Sequence, residues 1–413
     1  MSREFDLVIV GAGITGAALA GLAAARGVCA PERIAIVSDR FPASPDADAD
    51  WDLRVFALSR ASESVLRECG IWQRMRADRI FGYQRMCVWE GRGAALGQVC
   101  VVFDCAEIGE PNLGSIVDAR VLQAHCLQAA RDAGIVFIEA ALQNLAATST
   151  SSRIGLRDGR ELRCRLLVGA DGTESRTREL LGIESAGHAY HQDALVAHVR
   201  TEKPHQGSAW QRFLPTGPLA FLPLPDGRSS IVWSTACREA ARLRGLDSDR
   251  FNAELTAAID GTFGACEIAT PIAGFPLKLQ YAVDYVVPGA ALIGDAAHAV
   301  HPLAGQGLNL GLLDCAALVE VLCGATGAQA LGDLRLLRRY ERWRKSENLL
   351  AAAAMDGIDR LFSNADPALT ALRSTGLSAV GRLPFARREF ARRALGLSGD
   401  LPSFRADRSS QRK

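Results

Sequence analysis

The chain has 413 residues, 48% hydrophobic and 23% charged, with a formal net charge of +1. That balance suits a globular protein with a buried core, and excludes both a disordered chain and one whose global charge recruits nucleic acid. The length allows two domains, or one large domain carrying an insertion.

The chain opens MSREFDLVIVGAG. Its first apolar run leads into a glycine turn, so no signal peptide is expected. No stretch reaches the roughly 18 unbroken apolar residues of a membrane span. Phe5–Val10 predicts a short buried strand. Gly11, Gly13 and Gly16 follow in the spacing GxGxxG, and the Ala- and Leu-rich stretch after them predicts a helix ending at Gly27. RIAIVSD predicts a second strand closed by Asp39. A strand, a glycine turn, a helix and a second strand make a βαβ unit. Its turn brings backbone N–H groups and a helix N-terminus to a dinucleotide pyrophosphate. The ribose-binding acid normally follows the strand directly, a place held by Ser38, so Asp39 stands one residue late.

Further along, LLVGAD predicts an apolar strand ending at Asp171-Gly172, with an arginine-bearing turn into a helix. From His188 to Ala269 polar and apolar residues alternate, cut by Pro, Gly and the turn at Asp226-Gly227. This pattern predicts antiparallel hairpins. A strand AALI then runs into LIGDAAHAVHPLAGQGLNLGLLD, Leu292 to Asp314, with a second acid, Asp295, just beyond the strand. Residues 333–362 predict a long charged amphipathic helix. From Val380 to Lys413 nine Arg/Lys and three acids interleave with Leu383, Phe385, Phe390, Leu395, Leu397 and Phe404. Such a tail reads either as a solvated helix or as one lying on an anionic membrane or a partner. The eleven cysteines form no CxxC pair. Cys29, Cys126, Cys164 and Cys315 read as small buried hydrophobes, which points to a reducing cytoplasm. No metal-ligand spacing is present, so no metal site is expected.

GxGxxG near the start, GADG mid-chain and GDAAH…P…GQG late together resemble the class A flavoprotein aromatic hydroxylases. The segments Asp52–Trp72, His301–Asp314 and Gly396–Pro402 look like the ubiquinone-biosynthesis hydroxylases. The pair His301–Pro302 is most similar to the 2-polyprenyl-6-methoxyphenol hydroxylase branch. The resemblance implies an α/β fold: a Rossmann-like FAD-binding domain of the p-hydroxybenzoate-hydroxylase type, an inserted antiparallel β-sheet substrate domain, and a helical C-terminal tail. Its boundaries would be 1–183 with 270–345 for FAD, 184–269 for substrate and 346–413 for the tail.

It also implies a cofactor set of Gly11, Gly13, Gly16, Asp39, Arg54, Arg120, Asp171, Gly172, Asp295, Pro302, Gly305, Gln306 and Gly307. Asp295 would accept a hydrogen bond from a ribityl hydroxyl. Pro302 would set the loop beside the isoalloxazine, and Gly305–Gly307 would open a helix whose N–H groups face the ring that gains negative charge. Asp171-Gly172 would contact FAD and NAD(P)H, with a plain turn acid as the other reading. Arg54 and Arg120 would approach the FAD, with a surface ion pair as the alternative for each. His298 is read as packing the turn, and His301 as facing either the active site or elsewhere. Trp210, Phe213, Leu222 and Trp233 line the substrate pocket or form sheet core. No catalytic side chain is assigned.

The implied activity is FAD- and NAD(P)H-dependent monooxygenation of a polyprenylated phenol with O₂. The protein would be cytoplasmic, either free or peripheral on the inner face of the cytoplasmic membrane, and in contact with other ubiquinone-biosynthesis proteins. Two alternatives stand beside it: a flavin hydroxylase of another aromatic, and a non-catalytic FAD-binding subunit of a quinone-synthesis complex.

Overall fold

Continuous apolar runs and alternating ones sort the strands into separate sheets. In the computed structural model, residues 3–46, 48–90, 100–148, 150–300, 305–325, 331–362 and 383–402 are described. The chain begins with β1 (Arg3–Val10), α1 (Ile14–Ala25) and β2 (Ile34–Ser38). Then come β3 (Val55–Leu58), α2 (Arg60–Glu68), β4 (Ile80–Gly82), β5 (Arg85–Glu90), β6 (Val101–Asp104), β7 (Ser115–Asp118) and α3 (Ala119–Asp132). The middle holds β8 (Val136–Glu139), β9 (Leu142–Ala146), β10 (Ser152–Leu156), β11 (Glu161–Gly169), α4 (Arg176–Leu180), β12 (Ser185–Thr201), β13 (Ser208–Leu214), β14 (Gly217–Pro223) and β15 (Ser229–Ala236). It continues through α5 (Cys237–Arg244), α6 (Ser248–Ala258), β16 (Cys266–Ile268), β17 (Ala273–Ala282), β18 (Val286–Val287), β19 (Ala290–Leu292) and β20 (His298–Ala299). The described helices end with α7 (Gln306–Cys323), α8 (Leu334–Phe362) and α9 (Pro384–Ala394).

The first sheet has the order β18-β19-β11-β1-β2-β8, parallel from β19 to β8, with β10 and β9 added antiparallel beyond β11. A parallel sheet is covered on both faces, and for that reason β1, β2 and the end of β11 are unbroken apolar runs. One face packs against α1, α3 and α7 through Leu7, Ile9, Leu19, Leu22, Leu312 and Leu318, all essentially inaccessible. Each such side chain contributes roughly 1.5–3 kcal/mol by leaving water. α7 is apolar and long enough to span a membrane, but 67% of it is buried against this core, so it is a core helix.

The second sheet has the order β20-β17-β12-β15-β14-β13-β5-β6, with β16 on β12. One of its faces buries Leu195, Ala197, Leu219, Phe221, Ile231 and Trp233 against α5 and α6. The other face meets the first sheet across a cleft. A short third sheet, β3-β7-β4, closes one side.

Some pairings cross the expected domain boundaries. β5 and β6, at 85–104, pair with the inserted sheet, β5 running parallel to β13. β17, at 273–282, pairs with β12 in the same sheet. α8 runs unbroken across 345/346. Register with distant strands decides these memberships, and chain position does not.

Candidate active site

The cleft between the two large sheets holds a cavity of about 970 Å³, at the upper end of the roughly 300–1,000 Å³ usual for ligand sites. Three loops far apart in sequence meet there because β1, β11 and β19 are adjacent parallel strands. Their carboxyl ends lie side by side, where α/β sheets bind ligands. The turn after β1 supplies Gly11–Thr15, the turn after β11 supplies Ala170–Glu174, and Ile293 and Asp295 follow β19. Backbone bonds tie the turns together: Gly11 N–H to Val37 O at 2.8 Å, Ala170 N–H to Val10 O at 2.8 Å, and Ile293 N–H to Gly169 O at 3.0 Å.

Each glycine of GxGxxG has its own duty. Gly11 has φ +118°, and a Cβ there would stand 2.3 Å from the Ala170 carbonyl oxygen. Gly16 does not line the cavity; a Cβ there would stand 2.3 Å from Gly11 O, so its role is to let α1 close on the turn. Gly13 caps α1 with no side-chain hydrogen bond, lines the cavity, and would place a Cβ in open space. Its open side leaves the first N–H groups of α1 free for an anion. Ser38 and Asp39 both line the cavity at the end of β2, although Ser38 Oγ donates to Arg40 O at 2.8 Å.

The late motif supplies the opposite wall. Gly305, in the left-handed region at φ 65°, starts α7 without a side-chain cap, and Gly305, Gly307 and Leu308 line the cavity. Gln306 is in the first turn but not on the lining. Pro302 and His301 lie outside the described residues. Asp295 faces the open cavity, so its side chain is accessible although protein surrounds it. Burial raises its carboxyl above the ordinary value, with His298 and Arg54 pulling the other way.

Arg54 lines the cavity, its guanidinium over Phe56 at 5.7 Å and Phe275 at 5.8 Å. Arg120 does not. It is half exposed, pairs with Asp52 at 2.8 Å and donates to Asp50 O at 3.1 Å. The ion-pair alternative therefore describes it. Two residues of the same helix take its place: Ala119, and Gln123, whose Nε2 donates to Ala12 O at 2.9 Å. Asp171 and Gly172 reach the cavity, but the Asp171 carboxylate is occupied locally. It accepts from Ser175 Oγ at 2.5 Å, Thr177 N–H at 2.8 Å and Thr177 Oγ1 at 2.9 Å.

Several positioning residues escaped sequence reasoning. Asp314, fully buried on α7, accepts from Gly294 N–H (3.1 Å), Arg344 Nε (2.9 Å) and Asn348 Nδ2 (3.1 Å), and pairs with His298 Nε2 at 2.5 Å. Burial alone would raise its carboxyl; His298 and Arg344 outweigh that and hold it at about 2. The network fixes the Gly294–Asp295 turn from behind and confirms His298 as a packing residue. Asn309 donates to Ala57 O and Gly305 O and accepts from Ser59 N–H and Ser62 Oγ, pinning the start of α7 to β3 and α2. Arg178 donates to Ala296 O and Thr173 O, both at 2.9 Å, stapling two cofactor turns together. Only the acid at Asp314, polar within an apolar helix run, left a sequence signal.

The second sheet presents Ala194, Val196, Ala209, Gln211, Pro218, Ala220, Leu222, Ser230, Val232 and Ser234 to the cavity. None is charged. Of the four aromatic and aliphatic candidates, Leu222 and Trp210 line it, Phe213 packs with Leu310 and Met355, and Trp233 is sheet core. Among the described residues no His/Cys/Asp/Glu cluster suits a metal ion, and none of the eleven cysteines forms a disulfide.

The residues present fit FAD: a Gly13 backbone open where a Cβ would intrude, an uncapped α7 start, an acid beyond each of β2 and β19, and sufficient volume. Comparison with known proteins agrees. The model of the FAD binding domain family matches residues 4–353. The chain belongs to the FAD-dependent monooxygenases of the ubiquinone-biosynthesis type. It is 36% identical over 401 residues to 3-demethoxyubiquinol 3-hydroxylase of Escherichia coli, covering 96% of this chain and all of that one. It is 34% identical to ubiquinone hydroxylase UbiL of Rhodospirillum rubrum, over 95% of this chain and 89% of that one. Among solved structures it resembles p-nitrophenol 4-monooxygenase of Pseudomonas putida, with TM-score 0.74 at 18% identity over 97% of this chain and all of that one. That likeness shows the shared fold.

Proposed function

We propose that this monooxygenase hydroxylates the ring of a polyprenylated phenol in ubiquinone biosynthesis, with NAD(P)H and O₂ as co-substrates. The observation that carries the reading is the β12–β15 part of the wall facing the cofactor turns. It is an uncharged face of Ala, Val, Leu, Pro and Ser around Gln211, with Lys278, the sheet's one lining cation among the described residues, paired to Glu174. Such a face suits a neutral, apolar ring, and β12–β15 offer no cation to a carboxylated one. Two of the relatives named above are a 3-demethoxyubiquinol 3-hydroxylase and a ubiquinone hydroxylase, and both matches span nearly the whole chain.

In this reading FAD is held by Gly11–Ile14, Asp39, Arg54, Asp295 and the first turn of α7, and it supplies hydride acceptance and oxygen activation. The chain does the rest. The N–H groups at the α7 start would stabilise negative charge opposite them, by roughly 0.3–1 kcal/mol or more where water is excluded. The apolar sheet face keeps the ring dry and oriented, which favours transfer to carbon over release of hydrogen peroxide.

The membrane contact we propose is α9. Leu383, Phe385 and Phe390 are exposed there at 57%, 82% and 60%, among the exposed Arg388, Arg392 and Arg393. A basic helix with solvent-facing aromatics fits an anionic surface from which an insoluble prenyl substrate arrives. Its ion pair from Arg387 to Glu107 keeps it docked near β6. In this reading the enzyme works from the cytoplasmic side of a membrane. Mass spectrometry of quinone precursors in a deletion strain tests the reading. Accumulation of one prenylated phenol lacking a single hydroxyl supports it and names the ring position, on which the His301–Pro302 resemblance and the Escherichia coli relative differ. An unchanged quinone profile refutes it.

A further inference from the structure

A carboxamide stands without a partner in the middle of the cavity face of the second sheet. Gln211 on β13 lines the cavity, is only 6% exposed, and makes no side-chain hydrogen bond to any described residue. Strand pairing explains why. Ala220 on β14 is directly opposite it, Val88 on β5 stands beside it, and Val232 on β15 is opposite Ala220. Along β13 the next residues on the same face are Ala209 and Phe213. All five are apolar. Arg212 turns to the other face, where it donates to Ala258 O at 2.8 Å. An amide taken out of water without a partner is costly, and natural proteins leave few such groups. One that opens onto a ligand cavity is positioned for the ligand.

Gln211 also stands close to the start of α7. Phe213 packs with Leu310 of that helix, and Val88 and Val300 join the same apolar cluster. Gln211 is thus one pleat repeat, roughly 6–7 Å, from the place where β13 meets the first turns of α7, whose Gly307 and Leu308 line the cavity. A carboxamide sets an acceptor oxygen beside an NH₂ with two donors, all in one plane. It therefore matches two neighbouring ring oxygens of unlike kind. A hydroxyl donates to Oε1, and an ether oxygen accepts from Nε2. A ring without oxygen would leave the amide unpaired.

We propose that Gln211 is a specificity-determining residue that holds the ring by two adjacent oxygens, the phenol hydroxyl and an alkoxy group ortho to it. The proposal rests on the phenol reading above and adds which phenols the site prefers. Two bonds to one edge of a flat ring fix how it is turned in its own plane, and so which carbon is presented for oxygenation. Contacts with Ala, Val and Leu are indifferent to that rotation, whereas a few placed polar groups set orientation. Loss of the pair costs orientation as well as affinity, and a misturned ring lets reductant be spent on hydrogen peroxide. A site built to bond a substrate oxygen also rejects the analogue lacking it, because its own buried amide is then left unpaired.

The test gives the FAD-loaded enzyme NAD(P)H, O₂ and one of two short-chain probes, 2-methoxy-6-prenylphenol or 2-prenylphenol. The native enzyme should favour the methoxyphenol about tenfold or more in kcat/KM, and spend most of its NAD(P)H on hydroxylated product. Gln211→Met keeps length and volume without a strong donor or acceptor. It should bring the two probes within about threefold of each other, through a fall in kcat/KM for the methoxyphenol. The share of NAD(P)H lost as hydrogen peroxide should at least double. FAD content and Tm should match native, since the replaced carboxamide has no protein partner. A Tm well below native would show that the carboxamide is bonded within the protein, and overturns the assignment. So does a Gln211→Met enzyme that keeps the native preference and coupling. The native enzyme decides the matter even without the variant: equal use of both probes overturns the assignment. If neither probe quickens NAD(P)H oxidation nor shifts the flavin absorbance of the native enzyme, the phenol reading itself fails, and the assignment with it.

Discussion

Gly13→Ala separates cofactor binding from folding. The backbone at Gly13 has φ −71° and ψ 172°, which any residue adopts, and the added methyl meets nothing within 4 Å. Folding should therefore lose no more than the ~1 kcal/mol separating Gly from Ala as a helix cap. The methyl nonetheless enters the side of the turn facing the cavity, where a phosphate must approach the α1 N–H groups. Losing one charge-assisted hydrogen bond costs roughly 1.5–3 kcal/mol, which is a Kd raised about tenfold to 150-fold. The assay is a titration of apoprotein with FAD, followed by flavin fluorescence, with thermal unfolding of the apoprotein alongside. Gly11→Ala is the contrasting variant. Its Cβ would stand 2.3 Å from Ala170 O at φ +118°, so it should impair folding itself. A Gly13→Ala protein that binds FAD within twofold of native would refute the assignment of this turn to the pyrophosphate.

Other consequences follow from the same geometry. Asp295 starts with a raised carboxyl pKa, and a sugar hydroxyl donating to it favours the ionised form. FAD affinity should thus tighten as pH rises just above the ordinary carboxylate range, and Asp295→Asn should flatten that slope in a pH series of titrations. Asp314 has its pKa lowered from 3.8 to about 2. Its stabilisation, about 2 kcal/mol, is present above pH 4 and is lost as pH falls towards 2, visible in urea midpoints. Asp314→Asn leaves the buried Arg344 charge uncompensated and should cost ~3–5 kcal/mol by the same measurement. Native-like midpoints would show that the network is not under load. Phe385→Ser with Phe390→Ser should cut co-sedimentation with phosphatidylglycerol vesicles several-fold while leaving FAD content intact. Equal sedimentation would exclude α9 as the contact.

Much of the site was legible where local chemistry forces a pattern. Gly11, Gly13, Asp39, Arg54, Asp171, Gly172, Asp295, Gly305 and Gly307 all reach one cavity, because a tight turn and a close backbone approach each demand glycine or a short acid at a fixed offset from a strand. Gly16 is constrained just as strictly, but by helix packing. Arg120 shows the limit: its position in α3 is close to the cavity, yet Asp52 and Asp50 claim its guanidinium. A single long cation carries no sequence sign of which acid will reach it. Asp314 showed only as an acid in an apolar helix run, and Asn309 and Arg178 were invisible for the complementary reason, since their partners come from turns and strands remote in the chain. The same holds for β5 and β17, whose places in the second sheet follow from register with β13 and β12.

The most direct test of the account is oxygen incorporation. Purified FAD-loaded protein, given NAD(P)H, ¹⁸O₂ and a short-chain prenylated methoxyphenol, should consume NAD(P)H faster with the phenol than without it and yield a product carrying one ¹⁸O on the ring. Reductant consumption indifferent to the phenol, with all oxygen recovered as hydrogen peroxide, would contradict it.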